Sequence, residues 1–262
     1  MRILISNDDG VYAPGLGILA RRLSENGAHE VYVVAPDRQR SATGHSLTLH
    51  KPLRADAVEL DCDVKGAWST TGTPSDCVKL ALHKLIPAPP DVVISGINSG
   101  PNLGTDVLYS GTVAAAMEAA FSGFPSIAVS ARKNDRQIYN LAAEFILDFL
   151  TVLPKIPMPR RGLINVNVPA VVPVKGVKVT ELGKRLYDDR FELRHDPHGR
   201  DYYWLSGSPI EEGEAPESDV HAVCEGYISV SPVSFNMTDR LILEELHSKM
   251  VVNEFSHHVQ SL

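Results

Sequence analysis

At 262 residues the chain has the length of one large domain, or of one domain with an appendage, rather than of two separate folds. Hydrophobic residues at 44% and charged residues at 22% exclude disorder as the dominant state. Acidic side chains outnumber basic ones by 32 to 25, a formal charge of -7, which argues against a nucleic-acid or anionic-membrane binder but not against an anionic small substrate held through a cation.

The chain opens on a short apolar run, Ile3-Leu4-Ile5, that reads as a buried strand and ends in the loop composition Asn7-Asp8-Asp9-Gly10. Leu16, Leu19, Ala20 and Leu23 recur at helical spacing, and Gly27 closes that helix. Val31 to Ala35 is a second buried strand, stopped by Pro36. A polar loop from Asp37 to Gly44 follows, and Ser46 to His50 alternates like a strand. Thr73-Pro74-Ser75-Asp76 carries the start signals of a helix, with Thr73 as cap and Pro74 in the first turn. Val78, Ala81, Leu82 and Leu85 supply its buried stripe, and Pro87 to Pro90 end it. Asp91 to Ser95 is the next strand, followed by a long Gly/Asn/Ser loop from Gly96 to Gly111.

A helix from about Thr112 to Phe121, a strand from Ser126 to Ser130 and a helix from Ile138 to Leu150 complete the first half. Strand alternating with helix predicts an α/β fold: a mostly parallel, Rossmann-like sheet with helices on both faces. Beyond about residue 170 the pattern changes. Val177 to Leu182 and Tyr202 to Leu205 look like strands around the charged stretch Lys184 to Arg200, the signature of an extended C-terminal β-hairpin arm. Tyr227 to Val233 is strand-like, and Thr238 to Leu246 reads as a terminal helix capped by Thr238. No clean linker divides the chain, so residues 1–262 are expected to form a single domain, with a core over about 1–170 and an arm and oligomerisation region over about 171–262.

Three cysteines with no Cys-x-x-Cys pair form neither a disulfide framework nor a thiolate zinc site, and point to a reducing, cytoplasmic setting. The N-terminus has no apolar region of the signal-peptide kind, and no apolar run of about 18 residues offers a membrane span.

Ligands of open parallel sheets bind where loops leave the carboxyl ends of the strands. Three such loops are unusually polar here. In the first, the adjacent carboxylates of Asp8 and Asp9 repel each other unless a cation sits between them, and Gly10 permits the turn that lets both reach one ion. Taken alone, the pair reads first as an Asx-turn or an N-cap region with solvated acids. The second loop, Arg38 to Ser46, offers hydroxyls for a hard metal or a phosphate oxygen, and alone is also an ordinary exposed loop. His45 within it is a candidate acid or base, although a lone loop histidine is more often solvated. The third, Ser95 to Thr112, is rich in glycine and asparagine and runs into an Ala-rich helix. Ser110, Gly111 and Thr112 make the start of that helix a candidate anion site, which is equally a helix end needing a cap, and Asn98 and Asn102 in the loop are further candidates for holding phosphate oxygens. Gly15-Leu16-Gly17-Ile18-Leu19-Ala20 matches a dinucleotide fingerprint, but Asp8 and Asp9 occupy the turn where that fingerprint belongs, which disfavours a nicotinamide enzyme. A non-catalytic metal- or nucleotide-binding module is the competing class.

At Arg2 to Gly10, Ala35 to Arg38 with Ser41, Gly72 to Val78, and Ser95 to Ala116, the sequence resembles the SurE (survival protein E) family of metal-dependent phosphatases. The likeness continues through Gly123 to Ser130 and Asn165 to Pro169. The resemblance implies one divalent ion per subunit held by Asp8, Asp9, Ser41 and Asn98, an all-oxygen set that suits Mg²⁺ or Mn²⁺. It implies a catalytic group of Asp8, Asp9 and Asn98, and hydrolysis of nucleoside monophosphates as a 5′-nucleotidase, with 3′-nucleotidase and short-chain polyphosphatase action as extensions. It also implies a homodimer or homotetramer that exchanges the arm between subunits.

Overall fold

A computed structural model describes residues 1–158, 161–210 and 213–250. In chain order the elements begin β1 (Arg2–Ser6), α1 (Pro14–Ser24), β2 (Glu30–Pro36), β3 (Ala55–Ala57), β4 (Gly66–Thr70) and α2 (Pro74–Leu80). They continue with β5 (Val92–Ser99), α3 (Gly111–Phe121), β6 (Ser126–Ala131), α4 (Arg136–Val152), β7 (Gly162–Val168) and β8 (Val177–Val179). The C-terminal part holds β9 (Leu186–Tyr187), β10 (Arg190–His195), β11 (Asp201–Ser206), β12 (Pro209–Ile210), α5 (Asp219–Cys224), β13 (Ile228–Ser234) and α6 (Arg240–Met250).

Nine strands form one sheet in the order β3-β4-β2-β1-β5-β6-β7-β13-β8. The run from β4 to β7 is parallel throughout, whereas β3 on β4 and β13 on β7 are antiparallel. From β1 the chain winds outward to β2 and β4, then returns to β5 on the other side and winds the opposite way. That reversal places the topological switch point between β1 and β5, where loops diverge and leave a crevice.

Successive strand residues face opposite sides, and each side has its own helices. Ile3 and Ile5 of β1, Val31 and Val33 of β2, and Ile94 of β5 pack with Leu16, Leu19 and Leu23 of α1 and Ile146 of α4. Leu4, Tyr32, Val34 and Val93 point the other way, onto Cys77 and Val78 of α2 and Ala115 and Ala119 of α3. Each fully buried Leu or Ile in these layers contributes roughly 2 kcal/mol by removal from water. β8 and β13, both beyond residue 170, are built into the sheet, and Val233 joins Val113, Ala116 and Met117 of α3.

Several expectations need correction. Ser46 to His50 is irregular, not a strand, because its backbone is taken up by the α2 cap: the Thr48 N–H donates to Asp76 (3.0 Å) and the Ser46 carbonyl accepts from the Thr73 hydroxyl (2.8 Å). The strands on that edge are instead the short β3 and β4. The segment from Gly96 is not all loop: β5 runs on to Ser99, and Gly104–Leu108 forms a 3₁₀ turn. The strand expected over Val177 to Leu182 stops at Val179. The cap of α6 is Asp239, whose carboxylate accepts from the N–H groups of Leu241 and Ile242 (3.0 and 3.1 Å), rather than Thr238.

The arm is a long two-stranded ribbon, β9 with β12 at its root and β10 with β11 beyond, all antiparallel. Phe191 lies opposite Leu205 and Leu193 opposite Tyr203, so these four share one face, while Tyr202 and Trp204 turn to the other. All six are exposed. The arm root is fastened to the core. Arg185 Nε donates to Asp106 Oδ2 (2.9 Å), and the buried Asp219 carboxylate accepts from Gly104 N–H (3.0 Å) and Gly183 N–H (2.8 Å).

Candidate functional site

The turn after β1 is closed by Asn7, fully buried, whose side chain donates to the Gly10 carbonyl (2.9 Å) and accepts from the Gly10 N–H (3.1 Å). Gly10 completes it at φ +105°, where an L side chain is strained. Because Asn7 makes the turn, the Asp8 and Asp9 carboxylates are not spent on it.

Asp8 is buried against the start of α3. Its Oδ1 accepts from the Thr112 hydroxyl at 2.5 Å, and the approach is close enough that a Cβ on Gly111 would lie 2.7 Å from the Asp8 Cβ. Burial pushes the Asp8 carboxyl up to about 6, the Thr112 hydroxyl pulls it down, and the Asp9 charge raises it again. Asp9 Oδ2 accepts from the Ser99 N–H (2.9 Å), and its carboxyl too is raised by burial despite that bond. Among the described residues neither carboxylate has a basic partner: Asp8 is held by Thr112, Asp9 by Ser99 and, at 3.4 Å, Gln39.

Asn98 arrives from the other side of the switch point. The β5–β6 register shifts between Ser95 and Asn98, a bulge that re-aims the strand end. The Asn98 amide donates to the Gly100 carbonyl (2.8 Å), which leaves its carbonyl oxygen unspent. Ser41 comes from the loop after β2, its Oγ accepting from Gln39 Nε2 (2.9 Å). That loop is tied to the first one by the Arg40 N–H, which donates to the Asp8 carbonyl (2.7 Å).

Asp8, Asp9, Ser41 and Asn98 thus border one open cleft of about 210 Å³, together with Asn102 and Ser110. Ser110 caps α3, accepting from the Val113 N–H (3.1 Å), so its hydroxyl hydrogen stays available. Asn102 donates to Ser130 Oγ (2.7 Å), and its backbone carbonyl is clamped by the amides of Asn165 and Asn167 (2.9 Å each). Thr112 is fully buried behind Asp8 and orients that carboxylate. Gly111 allows the helix to approach. Gln39, the Ser99 N–H, Asp106 and Tyr109 are cleft groups not singled out from the sequence, although Gln39 falls in the second polar loop and the other three in the third. No Lys, Arg or His lines the cleft among the described residues. His45 lies elsewhere, against Glu118 and Phe121.

The glycines of the dinucleotide-like fingerprint lie inside α1. Gly15 is there for packing, since a Cβ would meet the Ile97 carbonyl oxygen at 2.1 Å. Two desolvated carboxylates without a basic partner, joined by two neutral oxygen donors, fit a hard divalent cation. The donor set holds no soft or nitrogen ligand.

Fold and cleft define a Rossmann-like α/β protein with a carboxylate-centred site at its switch point. The chain belongs to the SurE family: the model for survival protein SurE matches residues 3–189. It is 54% identical to the 5'-nucleotidase SurE of Gloeobacter violaceus over 241 residues, covering 91% of each chain. It is 50% identical to the 5'-nucleotidase SurE of Pelotomaculum thermopropionicum over 247 residues, covering 94% of each. By that name these relatives are phosphoric monoester hydrolases. The crystal structure of the SurE protein from Aquifex aeolicus superposes with a TM-score of 0.80 at 36% identity, covering 95% of this chain and 99% of that one.

Proposed function

We propose that this chain is a divalent-metal-dependent phosphomonoesterase that hydrolyses nucleoside monophosphates to nucleoside and phosphate, a 5′-nucleotidase with 3′-nucleotidase and short-chain polyphosphatase activity as extensions. The observation that carries the reading is the Asp8–Asp9 pair, Asp8 buried and Asp9 half-buried, without a basic partner in a cleft that no lysine or arginine lines among the described residues. Such a cleft repels a phosphate dianion until a cation reverses its field. Asp8, Asp9, Ser41 and Asn98 would hold one Mg²⁺ or Mn²⁺ per subunit, and the bound ion would supply Lewis acidity and charge neutralisation at the phosphoryl group.

The chain's own residues do the rest. Thr112 fixes the rotamer of Asp8, and the Ser99 N–H fixes Asp9, so the two carboxylates are set before any ligand arrives. Ser110 donates its free hydroxyl hydrogen, and Asn102 its remaining amide hydrogen, to phosphate oxygens. The first N–H groups of α3, Gly111 included, add positive potential on that side. Asp8 or Asp9 takes the proton of the attacking water. No nucleic-acid or membrane partner is needed by this reading, and no helix among the described residues is long and apolar enough to cross a membrane. The cysteine usage fits a cytoplasmic home.

The same reading treats residues 1–262 as one domain, with β8, α5 and β13 completing the core that residues 1–170 begin and the ribbon from β9 to β12 as the arm, assembled as a homodimer or homotetramer through that exposed apolar ribbon. A panel of nucleoside 5′- and 3′-monophosphates and short polyphosphates, assayed for released phosphate, tests the function. Activity should vanish in excess chelator and return with Mn²⁺ or Mg²⁺. Undiminished turnover after exhaustive chelation would overturn the metal reading, and nucleotide binding without phosphate release would leave a binding module.

A further inference from the structure

Ser41 stands on the least supported wall of the cleft. It is exposed, and its loop turns through left-handed backbone at Ala42 and Gly44, both at φ +54°. Besides the Arg40 N–H tie to Asp8, the Arg40 side chain on the Thr71 carbonyl (3.0 Å) and the Ser46 and Thr48 bonds to the α2 cap, that loop is held by α3. The Gly44 N–H donates to the Tyr109 carbonyl just before the helix (3.1 Å). His45 then sits flat on Phe121, ring centroids 5.4 Å apart, with Nε2 2.9 Å from Glu118 Oε2 and Nδ1 2.9 Å from the Met117 sulfur.

Glu118 is 4% exposed, and its other oxygen accepts from Lys79 Nζ at 2.5 Å. The His45 bond first, and Lys79 next, hold its carboxyl below the usual range in spite of burial, so it faces His45 as an anion. One helix therefore grips two cleft walls: Thr112 in its first turn holds Asp8, and Glu118, nearly two turns later, holds the Ser41 loop. An outer partner that orients a ligand-bearing segment is conventionally worth much of a site's affinity.

We propose that His45 and Glu118 are a positioning pair: through α3 they set the Ser41 loop at a fixed distance from Asp8, and thereby the affinity of the cleft for a divalent cation. This rests on the metal reading above. His45 touches neither the cleft nor the reacting atoms, so the pair acts on affinity rather than on the chemical step.

The test is Mn²⁺ binding to the full chain without substrate, read from the electron paramagnetic resonance of free Mn²⁺. His45→Phe keeps the ring stack and loses the polar bond. His45→Gln places an amide N–H where Nε2 was. Mn²⁺ should bind His45→Phe about 10-fold more weakly than wild type, while His45→Gln stays within about twofold. Phosphate release by His45→Phe should recover to the wild-type rate at saturating Mn²⁺. Wild-type affinity in His45→Phe, or equal losses in His45→Phe and His45→Gln, would overturn the pairing while leaving the metal reading standing. Absence of Mn²⁺ binding by the wild-type chain would overturn the metal reading itself, and the pairing with it.

Discussion

Asp8→Asn offers a sharp test of how the cleft is built, because in metal-free protein it should stabilise the fold. The Asp8 carboxyl stands at about 6 in the folded chain against an ordinary 3.8, chiefly through burial. A carboxyl raised on folding binds its proton more tightly in the native state, so its contribution to stability is complete below about pH 4 and is lost as pH rises through about 6. With the two values above, ionisation penalises the native state by roughly 1 kcal/mol near pH 4.5 and roughly 3 kcal/mol near pH 8. Asparagine removes the charge and still presents an oxygen to the Thr112 hydroxyl, whose pull on the ionised carboxyl is already contained in that penalty. In excess chelator, urea unfolding should therefore find Asp8→Asn more stable than wild type by about 3 kcal/mol near pH 8, with the advantage falling to about 1 kcal/mol near pH 4.5. A variant less stable than wild type near pH 8, or a difference that ignores pH, would refute the claim that Asp8 is a desolvated, uncompensated charge.

Three other outcomes follow from the same geometry. Thr112→Val removes the hydroxyl that fixes Asp8 while keeping the shape, and should lower phosphate release by about 10-fold with the fold retained, as judged by circular dichroism. Gly15→Ala puts a methyl group 2.1 Å from the Ile97 carbonyl oxygen, so α1 must shift. Thermal unfolding should register a loss of about 1–3 kcal/mol, and a neutral effect would show that the helix has slack. Replacing Phe191 and Leu205 together by aspartate places like charges on the exposed apolar face of the arm. Analytical ultracentrifugation should then show weaker self-association, and a wild-type chain that sediments as a monomer at micromolar concentration would remove the arm from any role in assembly.

The central architecture was legible because its strands are buried on both faces. Ile3 to Ile5, Val31 to Ala35 and Asp91 to Ser95 read as apolar runs for that reason, and Leu16, Leu19 and Leu23 as one helix stripe. The edge was not legible: Ala55 to Ala57 and Gly66 to Thr70 are short, mixed segments, and Ser46 to His50 imitates them without pairing. β7 and α5 also went unread. The three polar loops were visible as candidates, since a sheet that reverses at β1 gathers them at one edge. What composition does not carry is which atom is already spent. Thr112 looks like a phosphate ligand until its hydroxyl is seen bonded to Asp8, and Asn98 owes its aim to a bulge that no local pattern announces. His45 finds its partner on a helix 73 residues away, a contact that spacing rules do not reach.

The placement of the site on β1 and β5 has a kinetic consequence. Asp8, Asp9 and Asn98 extend from two adjoining strands deep within a nine-stranded sheet, whose backbone opens only when the domain as a whole unfolds. Ser41 belongs to a surface loop held by scattered single bonds at Arg40, Gly44, His45, Ser46 and Thr48 rather than by a ladder, and such a segment opens locally at smaller cost. Slow and fast hydrogen exchange should therefore meet across a few ångströms inside a single cleft. An ion seated there would come and go through the soft wall while the three donors on the sheet stand still, so its residence time would follow the breathing of residues 37–50 rather than the stability of the fold.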